Sequence, residues 1–177
     1  KKDLDNTLKN LQTNSIHGLL FHRESDIKKI KNDFFFYYLD ELKKHKIIKK
    51  IGFSSYNLDN INDNMNLYNF KIVQLPVNIF NSSYKYVSNI KYYRKKFNLE
   101  FHARSIFLQG LGLLKKIKSP RFKKLNNKLI MMDKISKKFS ITNYDLMLSG
   151  VSRFDCIDSF IIGCSSYSDL IALKKFN

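Results

Sequence analysis

Residues 33–56 read DFFFYYLDELKKHKIIKKIGFSSY, and this stretch decides the fold. Its first half places apolar residues at helical spacing, which predicts a helix over residues 33–45. The apolar run at residues 47–53 then predicts a buried strand, and Ser54, Ser55 and Tyr56 follow where that strand ends. The stretch therefore predicts a helix–strand unit with polar side chains at the carboxyl end of the strand.

The same alternation continues on both sides of this unit. We expect strands at residues 16–21, 47–53, 71–75, 99–103 and 157–162. We expect helices at residues 33–45, 58–67, 84–96 and 166–175, a long basic segment at 122–139, and a helix from Thr142, where Asp145 completes a capping box. This order predicts an α/β fold with a parallel sheet, either doubly wound or a barrel. No linker divides the chain, so we expect one domain over residues 1–177.

The chain is strongly basic, with 32 Lys and Arg against 15 Asp and Glu, a formal charge of +17. Such a charge is compatible with a nucleic-acid or anionic-membrane partner. However, the lysines are scattered in pairs along predicted helices, while residues with AT-rich codons are abundant throughout. We therefore favour a solvated surface shaped by genome composition.

Other features narrow the class of protein. Cys156 and Cys164 are too few for a disulfide framework and lack metal-binding spacing, so we expect reduced thiols, no metal and a cytoplasmic protein. No apolar run approaches the ~20 residues that span a membrane. The chain begins at Lys1 without Met, inside a predicted helix, and is shorter than the ~250 residues of a complete (β/α)8 barrel. We expect it to be a fragment.

Polar residues recur wherever a predicted strand ends. They are His22 and Arg23, Ser54 to Tyr56, Gln74 and Asn78, Arg104 and Ser105, and Gly163 to Ser166. In parallel α/β proteins the ligand site lies at the carboxyl ends of the strands. The recurrence predicts such a site here.

Five segments, in order and spacing, resemble the aldo-keto reductase family. They are LKNLQTNSIHGLLFHR (residues 8–23), LDELKKHKIIKKIGFSSY (39–56), IVQLPVN (72–78), HARSIFLQG (102–110) and FIIGCSSYSDL (160–170). The resemblance implies a partial (β/α)8 TIM barrel containing strands four to eight. It also implies hydride transfer between NADP or NAD and a carbonyl or alcohol, with the HARSIFLQG segment suggesting a sugar-type substrate.

The resemblance assigns the catalytic carbonyl-polarising role to His22. The family's Asp, Tyr and Lys correspond to parts that precede this chain, so we expect the chain alone to be inactive. Ser54, Ser55 and Gln74 resemble the residues that hold the nicotinamide carboxamide, although Ser55 replaces the usual Asn. The alternative is that the two serines cap the next helix.

The remaining cofactor contacts implied by the resemblance lie later in the chain. Arg104 would stack on the nicotinamide or reach a phosphate, while Ser105, Phe107 and Gln109 would line the pyrophosphate path with backbone N–H groups. Gly163, Cys164 and Ser165 precede the last helix, where a phosphate is favourable. The charged residues that commonly hold the NADP 2′-phosphate are not evident at Gly163, Cys164 and Asp169, so NAD is an alternative. The simpler interpretations are that Arg104 is an ordinary surface arginine and that Gly163, Cys164 and Ser165 only cap the last helix.

Two other functions remain open. The segment at 84–97 (YKYVSNIKYYRKKF) interleaves aromatic and basic residues, as a nucleic-acid-binding α/β module would. Any DNA binding should be weak, independent of sequence and lost between about 50 and 200 mM salt. A non-catalytic half-barrel scaffold is the other alternative. His17 is interpreted as structural, and His45 and His102, which have no partner constellation, are given no functional role.

Overall fold

The computed structural model describes residues 2–30, 33–114, 117 and 119–175. Five strands are present: β1 (Ile16–Phe21), β2 (Ile48–Ser54), β3 (Ile72–Pro76), β4 (Glu100–Arg104) and β5 (Ser159–Phe160). The α-helices are α1 (Lys2–Asn10), α2 (Glu24–Ile27), α3 (Asp33–Lys44), α4 (Ile61–Leu67), α5 (Tyr84–Phe97), α6 (Lys123–Lys138), α7 (Asn143–Ser152) and α8 (Tyr167–Lys175). Short 3-10 helices occupy Leu111–Leu113 and Pro120–Phe122.

The strands form one sheet in the order β1-β2-β3-β4-β5. β1 and β2 are parallel, with Ile16 opposite Ile48, and β2 and β3 are parallel, with Gly52 opposite Ile72. Helices separate successive strands, as parallel neighbours require. The predicted α/β fold is confirmed, with the strand and helix order of part of a (β/α)8 barrel.

The first four predicted strands agree with the structure to within one residue at each end, but the fifth does not. Residues 157–162 were expected to be extended, whereas β5 contains only Ser159 and Phe160. The N–H of Ile157 donates to Phe154 O (3.1 Å), which turns the chain before the strand can begin. Pairing continues one residue further, because Ile161 N–H donates to Ala103 O (2.7 Å).

Helix α4 begins three residues later than the pattern predicted. Asn57 N–H donates to Ser55 Oγ (3.3 Å), and Asp59 N–H donates to Asn57 Oδ1 (3.1 Å). These local bonds hold the backbone in turns that compete with a helix. The predicted capping box of α7 is confirmed. Asp145 N–H donates to Thr142 Oγ1 (3.0 Å), and Thr142 N–H donates to Asp145 Oδ2 (3.1 Å).

The chain divides into two compact units, Lys1–Leu75 with Asn89–His102, and Pro76–Ser88 with Ala103–Asn177. The first unit is built on the parallel strands β1 and β2. Its core includes Phe53 and Phe70, whose rings meet edge to face at 5.2 Å. Further fully buried residues are Ile27, Ile48, Ile51, Ile61, Ile72, Ile90 and Phe101. The last four residues of β2, from Ile51 to Ser54, are all buried, which explains why this end of the strand does not alternate between apolar and polar residues.

The second unit has its own apolar cluster. Ile117, Leu129, Met132 and Met147 are buried together, and partly buried apolar residues pack around them. This cluster fixes α6 against α7, the two helices that follow the loop after β4. Among the described residues, no helix combines the length and apolar character that a membrane crossing needs.

We expect Gly52→Ala to destabilise the first unit. A Cβ at Gly52 would lie 2.3 Å from Ile72 O and 2.6 Å from Ile72 Cβ, so the backbone of β3 would have to move. Overpacking of this kind costs about 1–3 kcal/mol. In urea unfolding at low ionic strength, the midpoint of Gly52→Ala should be lower than that of the parent chain. Gly163→Ala is the matched control, because no atom lies within 4 Å of its Cβ position; an equal loss there would contradict the packing argument.

Candidate functional site

The first unit carries four of the predicted site residues at the carboxyl ends of its strands. His22 follows β1 and is exposed, and Ser54 ends β2 and is buried. Ser54 is the register partner of Gln74 in β3, so the two side chains emerge on the same side of neighbouring strands. Ser55 N–H donates to Gln74 O (2.9 Å), which fixes the backbone at this point. A hydroxyl and an amide are thereby held side by side.

Ser55 has a local structural role. Its hydroxyl lies 2.9 Å from Asn57 O, to which it donates, and it also accepts from Asn57 N–H. This closes the turn after β2. The alternative in which the serines cap the next helix is therefore not what the structure shows, since α4 begins at Ile61 with Asn60 before it.

The second unit contains a pocket of about 390 Å³, in the range typical of ligand sites. Its walls come from the loop after β4, from α7, and from the segment between β5 and α8. Among the predicted site residues, the pocket is lined by Ser105, Phe107, Gln109, Gly163 and Ser165. Phe107 forms one wall together with Tyr144, stacked on it at 4.5 Å.

Two predicted residues of this unit do not line that pocket. Arg104 donates from Nη1 to Ser105 Oγ (3.3 Å), so it can orient the Ser105 hydroxyl. Cys164 is exposed. The structure thus brings Ser105, Phe107, Gln109, Gly163 and Ser165 to one pocket and leaves Arg104 and Cys164 outside its lining.

The loop after β4 has a strained backbone. Ser105, Leu108 and Gln109 have φ between 53° and 58°, and Gly110 has φ 86°. Non-glycine residues in this region cost about 1–3 kcal/mol each, and such residues cluster at ligand sites. Leu108 N–H donates to Ser105 O (3.0 Å) and Gly110 N–H donates to Phe107 O (2.9 Å). These two hydrogen bonds close the loop, and neither uses the N–H groups of Ser105, Phe107 or Gln109, which were expected to line a pyrophosphate path.

A carboxylate lies at the start of α8, where the sequence suggested a phosphate. Asp169 Oδ2 accepts from the N–H groups of Ser165 and Ser166 and from the Ser165 hydroxyl, each at 3.0 Å. The backbone bond from Ser165, with the side-chain bonds from Ser165 and Ser166, lowers the pKa of Asp169. The residue is therefore negative at neutral pH. It occupies the donors that a phosphate would need, so the helix-cap interpretation describes this end of α8.

One cluster was missed by the sequence analysis. His17 Nε2 lies 2.7 Å from Glu100 Oε2, and His102 Nε2 lies 3.6 Å from the same oxygen. Lys50 Nζ forms a short hydrogen bond to Glu100 Oε1. Partial burial would raise the pKa of Glu100, but the hydrogen bonds from Lys50 and His17 lower it to about 2. The expectation that His102 has no partner constellation was wrong, because its ring lies close to Glu100, which also binds His17, 83 positions away from Glu100 in the sequence.

Known proteins resemble this chain in sequence pattern and in fold. The family model described as "Aldo/keto reductase family" matches residues 1–164. No curated protein sequence matches the chain significantly. A thermostable aldo-keto reductase, solved in complex with the inhibitor epalrestat, superposes with a TM-score of 0.70 at 18% identity, covering 99% of this chain and 59% of the other.

Two further structures extend the comparison. The glycerol dehydrogenase of Gluconobacter oxydans gives a TM-score of 0.67 at 17% identity, over 99% of this chain and 62% of that one. An aldo/keto reductase from Klebsiella pneumoniae, in complex with NADP and acetate, gives 0.66 at 17% identity, over 96% and 56%. These TM-scores show a shared fold. The chain spans 56–62% of the length of the three proteins.

Proposed function

The chain belongs to the aldo/keto reductase family, and we propose that it supplies the cofactor-facing part of an NAD(P)-dependent oxidoreductase. The reaction would be hydride transfer between a nicotinamide dinucleotide and a small carbonyl or alcohol, with a sugar-type substrate as the more specific expectation. The family member from Klebsiella pneumoniae, solved with NADP and acetate, supports this assignment of cofactor class. Residues 1–177 would form one domain and would act in the cytoplasm.

The pocket of the second unit is the observation that carries the proposal. It combines an aromatic wall, Phe107 on Tyr144, with the polar side chains of Ser105 and Gln109. An apolar cavity with a few placed polar groups is the usual form of a small-molecule site. These residues would hold part of the dinucleotide.

Within the first unit, Ser54 and Gln74 are proposed, independently of that pocket, as contacts of a nicotinamide carboxamide. Ser54 and Gln74 stand side by side at the ends of β2 and β3. A hydroxyl and an amide together satisfy the donor and acceptor atoms of a carboxamide. The bound nicotinamide would supply or accept the hydride.

His22 is proposed to act on the substrate carbonyl. It follows the last residue of β1 and is exposed, so its ring N–H can donate to a carbonyl oxygen. Such a bond strengthens as negative charge develops on that oxygen. This gives His22 an orienting and polarising role, with the proton supplied by another group.

Dinucleotide binding tests the pocket directly. We expect the chain to quench NADH fluorescence or bind NAD in calorimetry, and Gly163→Glu to abolish binding. The new carboxylate would enter the pocket without a backbone clash, because no atom lies within 4 Å of the Gly163 Cβ position. Gly163→Ala should bind as the parent does. Equal binding by Gly163→Glu and the parent would exclude this pocket as the site.

Asp169 is expected to bias the pocket towards NAD. Its negative charge would lie at the pocket edge and repel a 2′-phosphate. Asp169→Asn should therefore raise the affinity for NADP relative to NAD several-fold. Asp145→Asn is the matched control, since Asp145 caps α7 in the same way but does not line the pocket. An identical shift in both variants, or none in Asp169→Asn, would argue against this role.

The aromatic and basic residues of α5 favour the enzyme over a nucleic-acid-binding module. Lys96 Nζ donates to Asn62 Oδ1 (2.9 Å) and lies over the Phe97 ring at 4.8 Å. Tyr93 OH accepts from Asn62 Nδ2 (3.2 Å), and its ring stacks on Phe97. These side chains hold the part of α5 from Asn89 to Phe97 within the first unit. We therefore propose a small-molecule partner and no specific nucleic acid.

A further inference from the structure

Three potential metal ligands converge at the amino ends of β1 and β4. His17 is the second residue of β1, and Glu100 and His102 are the first and third residues of β4. One ligand atom from each lies within 4.8 Å of the others. The two imidazole rings are nearly parallel, inclined by 20°, with centroids 6.4 Å apart. All three residues belong to the first unit.

We propose that His17, Glu100 and His102 form a site for a divalent transition-metal ion of the zinc class. Two imidazoles and one carboxylate select zinc and its neighbours over calcium or magnesium, which prefer oxygen ligands throughout. Three protein ligands with a fourth position open to solvent are a known zinc arrangement. His17 faces solvent, with 53% of its side chain exposed, so an ion can enter from that side.

The geometry is close to what the ion needs. Ligand atoms about 2.0–2.1 Å from a tetrahedral zinc lie about 3.4 Å from one another. The distances to Glu100 Oε2 are 2.7 Å from His17 Nε2 and 3.6 Å from His102 Nε2, which bracket that value. Small side-chain rotations would therefore bring all three atoms into coordination.

Lys50 is the competitor for the same carboxylate. It binds Glu100 through Oε1, whereas both histidines approach Oε2. The carboxylate can thus keep Lys50 on one oxygen and a metal ion on the other. The ammonium nevertheless repels a cation at this distance, so Lys50 weakens the site. The rival interpretation is an ion-pair cluster that stabilises the strands and binds nothing.

The cluster is separate from the proposed dinucleotide site. His22 and Arg104 lie at the carboxyl ends of β1 and β4, while His17 and Glu100 lie at the amino ends of the same strands. The metal proposal therefore does not depend on the proposed reductase function. A failure of either test leaves the other proposal standing.

Titration of the 177-residue chain with Zn²⁺ by calorimetry, and with Co²⁺ by visible absorption, tests the site. We expect one equivalent to bind, with the intense visible bands of low-coordinate cobalt. His17→Gln should weaken binding by about tenfold or more, because even the loss of an outer partner of a metal ligand costs about 10–100-fold. His45→Gln is the matched control, since His45 lies 3.6 Å from Glu41 on the surface, and no third potential ligand joins them among the described residues.

A second variant separates a metal site from an ion-pair cluster. Lys50→Met should tighten Zn²⁺ binding, because it removes the competing ammonium and keeps the side-chain length. Cys164→Ser should leave the affinity unchanged, which excludes the exposed thiol as the ligand. No binding by the parent chain, binding that His17→Gln leaves intact, or binding that Lys50→Met leaves unchanged or weakens would each overturn the proposal.

Discussion

The 177-residue chain on its own should show no carbonyl reductase turnover. The resemblance to aldo-keto reductases places the proton-donating Tyr, with its Lys and Asp, outside the segments that this chain matches. A positioned general acid typically contributes about 10²–10⁴-fold to the rate. Without it, the polarisation of a carbonyl that we propose for His22 would not be enough to complete the reduction. We expect oxidation of NADPH and NADH to stay at the background rate with aldehydes and ketones.

Three tyrosines of the described part of the chain have a pKa shifted away from the range that proton transfer needs. Burial raises the pKa of Tyr86 to about 12, although Arg104 opposes the shift, and burial also raises the pKa of Tyr68 and Tyr144. An efficient acid needs a pKa shifted towards neutrality instead. Tyr56 follows β2 but is 81% exposed, without the desolvated surroundings of a catalytic acid.

The activity measurement needs two controls. A related full-length reductase assayed in parallel establishes the detection limit. His22→Ala distinguishes turnover by this chain from turnover by a contaminant. Turnover by the parent chain that His22→Ala abolishes would refute the expectation of inactivity and show that the proton comes from within residues 1–177.

Local apolar patterns predicted the strands of the sheet because each strand is a short buried run. The last four residues of β2, for example, are buried, so a strand at Ile51, Gly52 and Phe53 can be predicted from the local sequence alone. β5 was overestimated for the same reason, since Ile157 and Ile162 are apolar but lie in a turn and beyond the paired residues, respectively. Apolar character alone does not indicate where hydrogen-bond pairing stops.

Contacts between distant residues could not be predicted in this way. Glu100 meets His17 and Lys50 only because β1, β2 and β4 share one sheet, and no local spacing contains that information. The carboxylate cap at α8 illustrates a different limit. The residues Gly163 to Ser166 suit a phosphate, but Asp169, one turn further on, supplies the anion itself. A capping-box search from Ser166 to Asp169 would have found this signal.

The chain should also self-associate, and more strongly as salt rises. In the strand order β1-β2-β3-β4-β5, β1 and β5 each have one neighbour among the described strands, and unpaired strand edges recruit other chains. The edge regions are apolar, with Leu19 half-buried in β1 and Ile161, just after β5, 46% exposed. Other large exposed apolar residues include Phe34, Tyr37, Tyr84, Met131 and Phe139.

The charge of +17 opposes this association by mutual repulsion, which salt screens. Light scattering at increasing salt should therefore report a growing mass, the reverse of what electrostatic binding to nucleic acid would give. The N-terminal segment of a related reductase, which this chain does not match, should suppress association when added in trans by pairing with the edge at β1, whereas an unrelated peptide of equal charge should not. A chain that stays monomeric at about 0.5 M salt, where the screening length is below about 5 Å, and that melts cooperatively would contradict the open-edge interpretation.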